Sequence, residues 1–179
     1  GLEGKGLNVE QVGFIIAPRL NAAGRLSDPE EALKLLLSDS PEEALTLAKK
    51  LNERNALRQR LEKEILEEAL ALCEEIDLPH ERVLVLAHPD WHSGVIGIVA
   101  SRIVERLYRP TILISLKSGR GRGSARSIPN FPLFKALAEC RSYLIKFGGH
   151  SQAAGFEIEA DRIADFRERI NLIASEWLK

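Results

Sequence analysis

The stretch RVLVLAHPDWHSGVIGIVASRIVERLYRPTILISL, residues 82–116, decides the fold. Arg82 to Ala87 is a short, almost wholly apolar run bounded by breakers, the pattern of a buried strand. The loop His88-Pro89-Asp90-Trp91-His92-Ser93-Gly94 leads into residues 95–108, where apolar side chains at 95, 96, 99, 103 and 107 keep helical spacing. Thr111 to Leu116 is again β-rich. A strand, a helix and a second strand within about 30 residues predict a parallel pair with a right-handed crossover. The fold class that follows is α/β.

On the C-terminal side, Lys117 to Gly121 reads as a turn and Arg122 to Ser127 as a strand returning by hairpin. Phe131 to Leu144 is predicted helical, Ala153 to Ile158 a strand, and Asp161 to Leu178 a closing amphipathic helix. These elements predict a small mixed β-sheet flanked by helices over residues 79–179. On the N-terminal side, Asn8 opens a short helix, with Gln11 at its N3 position, that Pro18 is expected to end. Pro18 to Leu26, with Arg19 and Arg25 around small residues, reads as a loop. Asp28-Pro29-Glu30-Glu31 and Ser40-Pro41-Glu42-Glu43 are both helix starts. From Pro41 to about Ile76 there is no glycine and no further proline, which predicts one helix of roughly 50 Å at 1.5 Å per residue. Its polar middle, around Asn52 to Asn55 and Arg58 to Arg60, suits a helix bridging two domains, or one member of an antiparallel pair. Leu78-Pro79 breaks it. The expected division is 1–40, 41–78 and 79–179.

The 179 residues are 45% hydrophobic, ample for a buried core, and no apolar run is long enough for a membrane helix. With no signal peptide in Gly1 to Glu10, the expected location is cytoplasmic and no membrane partner is expected. Cys73 and Cys140 are too few and too far apart for a disulfide framework or a zinc site. The chain contains no methionine and begins with Gly1, so it is expected to be a piece of a longer product. A net charge of −1 conceals an asymmetry: residues 80–155 carry +7 and the remainder −8. A basic segment in an acidic chain points to an anionic partner, nucleic acid first.

Three stretches of the basic segment carry candidate contacts. Ser93 and Gly94 precede a helix, whose N–H groups suit a phosphate. Arg120, Arg122 and Arg126 are interleaved with glycines, Ser124 and Ser127 and offer forked donors, and Arg122, Ser124 and Arg126 alternate so that they share a face. In KFGGHSQAAGF, residues 146–156, Gly148 and Gly149 read either as an anion cradle formed by successive N–H groups, with His150 at its lip, or as a glycine turn. His88, His92 and His150 do not read as a metal trio, because Pro89 prevents a regular helix across the first pair. Paired carboxylates, a nucleophile elbow and a Walker loop are all missing from the sequence, so no catalytic residues and no metal ligands are assigned.

The ordered segments PRLNAAGRL, the long helix, HPDWHSGVIGIVASRI, GRGSARSI and FGGHSQAAGF together resemble the C-terminal core of the RecJ single-stranded-DNA exonucleases, of the DHH phosphoesterase superfamily. The resemblance implies that residues 79–179 are a DHH-associated substrate-binding domain, 41–78 the connecting helix and 1–40 the end of a DHH domain. It implies a parent enzyme that digests single-stranded DNA 5′ to 3′ with manganese or magnesium, in DNA repair and recombination, with single-stranded-DNA-binding protein and a helicase as partners. It places substrate contacts at Arg25, His92, Ser93, Gly94, Ser124, Arg126, Ser127, Gly148, Gly149 and His150, to which the strand pattern adds Arg122. The Asp and His motifs that bind the metals in that family do not appear, so this chain alone is expected to be inactive. Two other readings stay open: a DHH phosphodiesterase of short oligonucleotides or cyclic dinucleotides, and a non-catalytic replication scaffold.

Overall fold

A computed structural model describes residues 6–76 and 81–178. The expected break at Leu78-Pro79 lies outside them. The chain divides into two compact units, Gly1–Leu61 and Glu62–Lys179, the division falling inside its longest helix.

In the first unit, α1 (Val9–Gln11) starts with the expected reciprocal cap: Asn8 Oδ1 accepts from the Gln11 N–H at 2.8 Å and Gln11 Oε1 from the Asn8 N–H at 3.0 Å. Pro18 does not end the helix. A π-helical segment, Val12–Ile16, runs directly into α2 (Ala17–Leu26), with Pro18 in its first turn. Proline lacks an N–H and crowds the carbonyl one turn back, and a widened turn ahead of it accommodates both. The expected loop at 18–26 is therefore helical. Its small residues serve packing: Ala22 and Ala23 are fully buried, and Ala23 joins Ala32 and Leu51 in a small core. Next, α3 (Glu30–Leu37) begins where Asp28 Oδ1 accepts from the Glu30 N–H at 2.9 Å.

The long helix α4 (Pro41–Glu74) has 34 residues, opened by Ser40 Oγ accepting from the Glu43 N–H at 3.3 Å. Its middle is not solvated on every side: Leu51, Asn55, Glu62, Ile65, Ala69 and Cys73 are buried at spacings of three to seven residues, a single stripe. Asn55 Oδ1 is satisfied by Arg58, and Glu62 is paired with Arg102.

The second unit holds β1 (Leu84–His88), α5 (Ile96–Leu107), β2 (Thr111–Lys117), β3 (Arg120–Arg126), α6 (Leu133–Glu139), β4 (Leu144–Gly149), β5 (Ala153–Glu159) and α7 (Ile163–Trp177). They form one sheet in the order β1-β2-β3-β5-β4, parallel only between β1 and β2. This is the mixed sheet with flanking helices that the sequence predicts. One element differs. The helix expected over 131–144 is short, because the chain leaves the helical region at Cys140, makes a 3-10 turn at Arg141–Tyr143 and becomes β4.

The helices α6 and α7 bury Phe131, Leu137, Phe166 and Ile170 against Val85, Ile112, Ile114, Phe156 and Ile158 on one sheet face. Gly123 makes room there, since a Cβ at 123 would lie 2.2 Å from the Phe156 ring. On the opposite face α5 packs over β2 and β3, while β5 and β4 present Gly155 and Gly148 to solvent.

Candidate nucleic-acid interface

Strand pairing arranges the open face as three rows. Arg126 pairs with Ala153, whose carbonyl accepts from the His150 N–H at 2.8 Å. Ser124 pairs with Gly155 and Gly155 with Gly148, and Arg122 pairs with Glu157 and Glu157 with Lys146. Successive rows lie about 7 Å apart, and β3 to β4 spans about 10 Å. The central row has no side chain on two of its three strands. A Cβ at Gly148 would meet nothing within 4 Å, and one at Gly155 only the Gly123 carbonyl at 3.6 Å. The result is a shallow groove with a backbone floor and cationic ends.

A β-bulge sets this arrangement on β4. The register shifts between Leu144, opposite Ile158, and Lys146, opposite Glu157. The extra residue, Ile145, returns Lys146 and Gly148 to the groove face. On β3, Arg122, Ser124 and Arg126 share that face while Gly121, Gly123 and Ala125 are buried. The first turn of α5 walls the groove: a Cβ at Gly97 would lie 2.8 Å from Ser124 Oγ and 2.9 Å from Arg126 Nη2. Arg126 is oriented from within, donating from Nη1 to the Ala125 carbonyl at 2.8 Å and to Ser124 Oγ at 3.2 Å.

The Gly148-Gly149-His150 segment is a strand end and not a cradle of N–H groups. Gly148 and Gly149 continue the pairing with β5, and the His150 N–H is committed to Ala153. Only Gly149 takes a positive φ, +142°, and a Cβ there would lie 2.4 Å from the Ala153 carbonyl oxygen. The His150 side chain is exposed, with Nδ1 accepting from the Gln152 N–H at 3.3 Å. In the neutral ring the proton then sits on Nε2, pointing away from the turn.

Before α5 the expected N–H site is largely used internally. His92 Nδ1 accepts from the Gly94 N–H at 3.1 Å, and the His92 carbonyl accepts from the N–H groups of Val95 and Ile96. What this turn offers is the half-buried His92 ring, with Nε2 as its remaining nitrogen, and the exposed Ser93. Trp91 anchors it: the indole Nε1–H donates to Glu68 Oε2 of α4 at 2.8 Å, and the Trp91 carbonyl accepts from Ser115 Oγ at 2.6 Å. Ser127 is turned inward, its hydroxyl donating to the Phe131 carbonyl at 2.6 Å. Arg25 is exposed in the last turn of α2, in the other unit.

The groove's donor set of two arginines, a lysine and a hydroxyl, with the exposed imidazole of His150 at its end, suits a polyanion. It does not fit a divalent metal centre: among the described residues of these three rows the carboxylate is Glu157, held by Lys146 Nζ at 2.8 Å, which keeps its pKa below the usual 4.5. Among the described residues no three His, Cys, Asp or Glu are placed to share a metal. Both thiols are buried, that of Cys140 pushed up to about 12 by burial. No described helix is long and apolar enough to cross a membrane.

Residues 80–176 match the DHHA1 domain. This chain belongs to the DHHA1 domain family. The DHHA1 chain is 43% identical to the single-stranded-DNA-specific exonuclease RecJ of Bacillus subtilis over 173 residues, 96% of this chain and 22% of that protein. It superposes on RecJ of Thermus thermophilus in complex with Mg2+ with a TM-score of 0.87 at 38% identity, covering 97% of this chain and 27% of that one. A structure of exonuclease RecJ bound to manganese gives 0.83 at 39% identity, covering 94% of this chain and 42% of that one. The DHHA1 chain thus spans between about a fifth and two fifths of these relatives.

In this DHHA1 chain the sequence reading found the alternation on β3 and did not assign Lys146, Gly155 or Glu157 as candidate contacts. Gly155 and Glu157 were accessible by continuing the period of two from Ala153 along β5. Lys146 was not, because the bulge at Ile145 resets the alternation on β4.

Proposed function

We propose that this chain is the strand-holding part of a RecJ-like exonuclease that digests single-stranded DNA from 5′ to 3′ in repair and recombination. The observation that carries the proposal is the open sheet face, with Arg126, Ser124 and Arg122 on β3 facing a glycine floor. Arg122, Ser124, Arg126 and His150 grip the phosphodiester chain, and Gly148 and Gly149 let it approach the backbone. His92, Ser93 and Gly94 form a second contact at the start of α5. Ser127 shapes the loop that supports them, and Arg25 acts from residues 1–40, the end of a DHH domain, joined through 41–78 to a substrate-binding domain at 79–179. The divalent metal centre lies outside these residues, and this chain alone orients a strand without cutting it. Positioning of this kind supplies a large share of catalysis in phosphodiester hydrolysis.

Fluorescence anisotropy of a labelled single-stranded oligonucleotide across a salt series, with Mn2+ or Mg2+ present and cleavage monitored in parallel, tests the proposal. Salt-sensitive binding without cleavage is expected. Binding restricted to mono- and dinucleotides would favour a small-substrate phosphodiesterase, and failure to bind at any salt would sink the strand-holding role.

A further inference from the structure

At the end of the sheet where β2 begins, Arg82, Tyr108, Arg109, Pro110, Ile128 and Trp177 help to line a cavity of about 640 Å³. Small-molecule sites commonly have about 300–1,000 Å³. The cavity adjoins the groove along the chain: Arg126 pairs with Thr111, and the lining takes in Arg109 and Pro110 just before Thr111 and Ile128 just after Arg126. Two residues of extended chain span about 7 Å, the spacing of the groove's own rows. Two guanidiniums and two aromatic rings line the space, with no carboxylate among the described lining residues. Arg109 is fixed there by an Nη1 bond donated to the Glu81 carbonyl, and Arg82 is exposed. Trp177 lies at the edge of the core, its ring 5.8 Å from that of Phe131. Tyr108 caps α5 in the left-handed conformation, φ +48° and ψ +45°, where glycine or asparagine is usual. It is 68% exposed, so packing gives no reason for a tyrosine at that position.

We propose that this cavity holds one further nucleotide of a single strand, its base against Tyr108 and Trp177 and its phosphate met by Arg82 and Arg109, so that the binding track runs on past the Arg126 row. This rests on the strand-holding reading above. Base–aromatic stacking tolerates any sequence because every base has a π-face, and a guanidinium takes the phosphate of any nucleotide. The added contact lengthens the footprint without adding a sequence preference.

The test compares the 179-residue chain with its Tyr108→Gly, Arg82→Gln and Arg126→Ala variants, by anisotropy on oligothymidylates of graded length and across salt, with a thermal melt of each protein. Tyr108→Gly should bind the longer oligonucleotides about fivefold to a hundredfold more weakly than the parent, the worth of one stacked base. The shortest ones, which the groove alone holds, should bind equally. On the longer oligonucleotides Arg82→Gln should make the slope of log K against log salt shallower by about 0.7, the single-strand value for one phosphate. Glycine suits the φ at 108, so Tyr108→Gly should melt no lower than the parent; if it does melt lower, Arg82→Gln, a change at an exposed side chain, decides the matter. Variants at 108 and 82 that match the parent at every length, or that lose as much on the shortest oligonucleotides, overturn the inference. Weakening by Arg126→Ala in the same assay then leaves the strand-holding role intact. If the parent binds nothing at the lowest salt, both readings fall.

Discussion

A methyl group added at Gly148 meets nothing within 4 Å, whereas one at Gly149 lands 2.4 Å from the Ala153 carbonyl oxygen at a φ of +142°. Gly149→Ala should therefore cost more than about 1 kcal/mol of stability, measured by urea denaturation. Gly148→Ala should leave that transition in place and weaken single-stranded DNA binding by raising the groove floor. Equal stability losses in the two variants would show that the floor is open for packing reasons alone. Arg126→Ala should weaken binding on the order of tenfold, the worth of a charge-assisted hydrogen bond, and His150→Ala should weaken it as well, both with little change in melting temperature. Normal binding with unchanged melts would remove them from the grip. The arginine alternation was legible because period-two spacing depends only on the strand being regular. The adjacent glycines left a cradle and a turn both open, and the strand end they form was not legible, because whether a glycine takes a positive φ depends on its partner strand, which no local pattern names.

Among the elements, the loop that starts α5 hangs on a contact from a distant helix, Glu68 of α4 to the Trp91 indole. Trp91 is buried, so Glu68→Ala leaves a buried donor unsatisfied and should cost about 1–3 kcal/mol by chemical denaturation. An unchanged midpoint would mean that water replaces the carboxylate. The strand–helix–strand core was legible from 82–116 because its periods are clean and its breakers strong. Two elements were not legible. Pro18 continues a helix because a π-helical segment precedes it, and nothing in the composition of Val12–Ile16 announces that geometry. The strand β4 was not read at all, because the helix was carried to Leu144 and the Gly148-Gly149 pair beyond it reads locally as a turn or a cradle and not as part of a strand.

Across the whole molecule, charge and apolar exposure are unevenly shared. Glu31 and Glu157 are held below the usual 4.5, chiefly by hydrogen bonds from Arg54 and Lys146 respectively. A carboxylate whose pKa is depressed by folding contributes stability above its unfolded value and loses it as the pH falls through the folded one. Melting temperature should thus decline as the pH passes below 4.5, and Glu31→Gln/Glu157→Gln should show a smaller decline over the same interval. In the N-terminal unit Val9, Phe14, Leu36 and Leu37 are all at least two-thirds exposed. Apolar exposure on that scale favours association, so sedimentation of the isolated chain should depend on its concentration.

The histidine turns carry one more consequence. His88, His92 and His150 each turn Nδ1 onto the N–H two residues ahead, an arrangement that favours the same tautomer whenever a ring is uncharged. Their imidazole nitrogen resonances therefore start from a common reference and need no attached dye to be compared. His150 sits at the groove, while His88 lies on β1, two strands from Arg122 in the same row. A strand arriving in the groove would move the signal of one and leave the other as an internal standard.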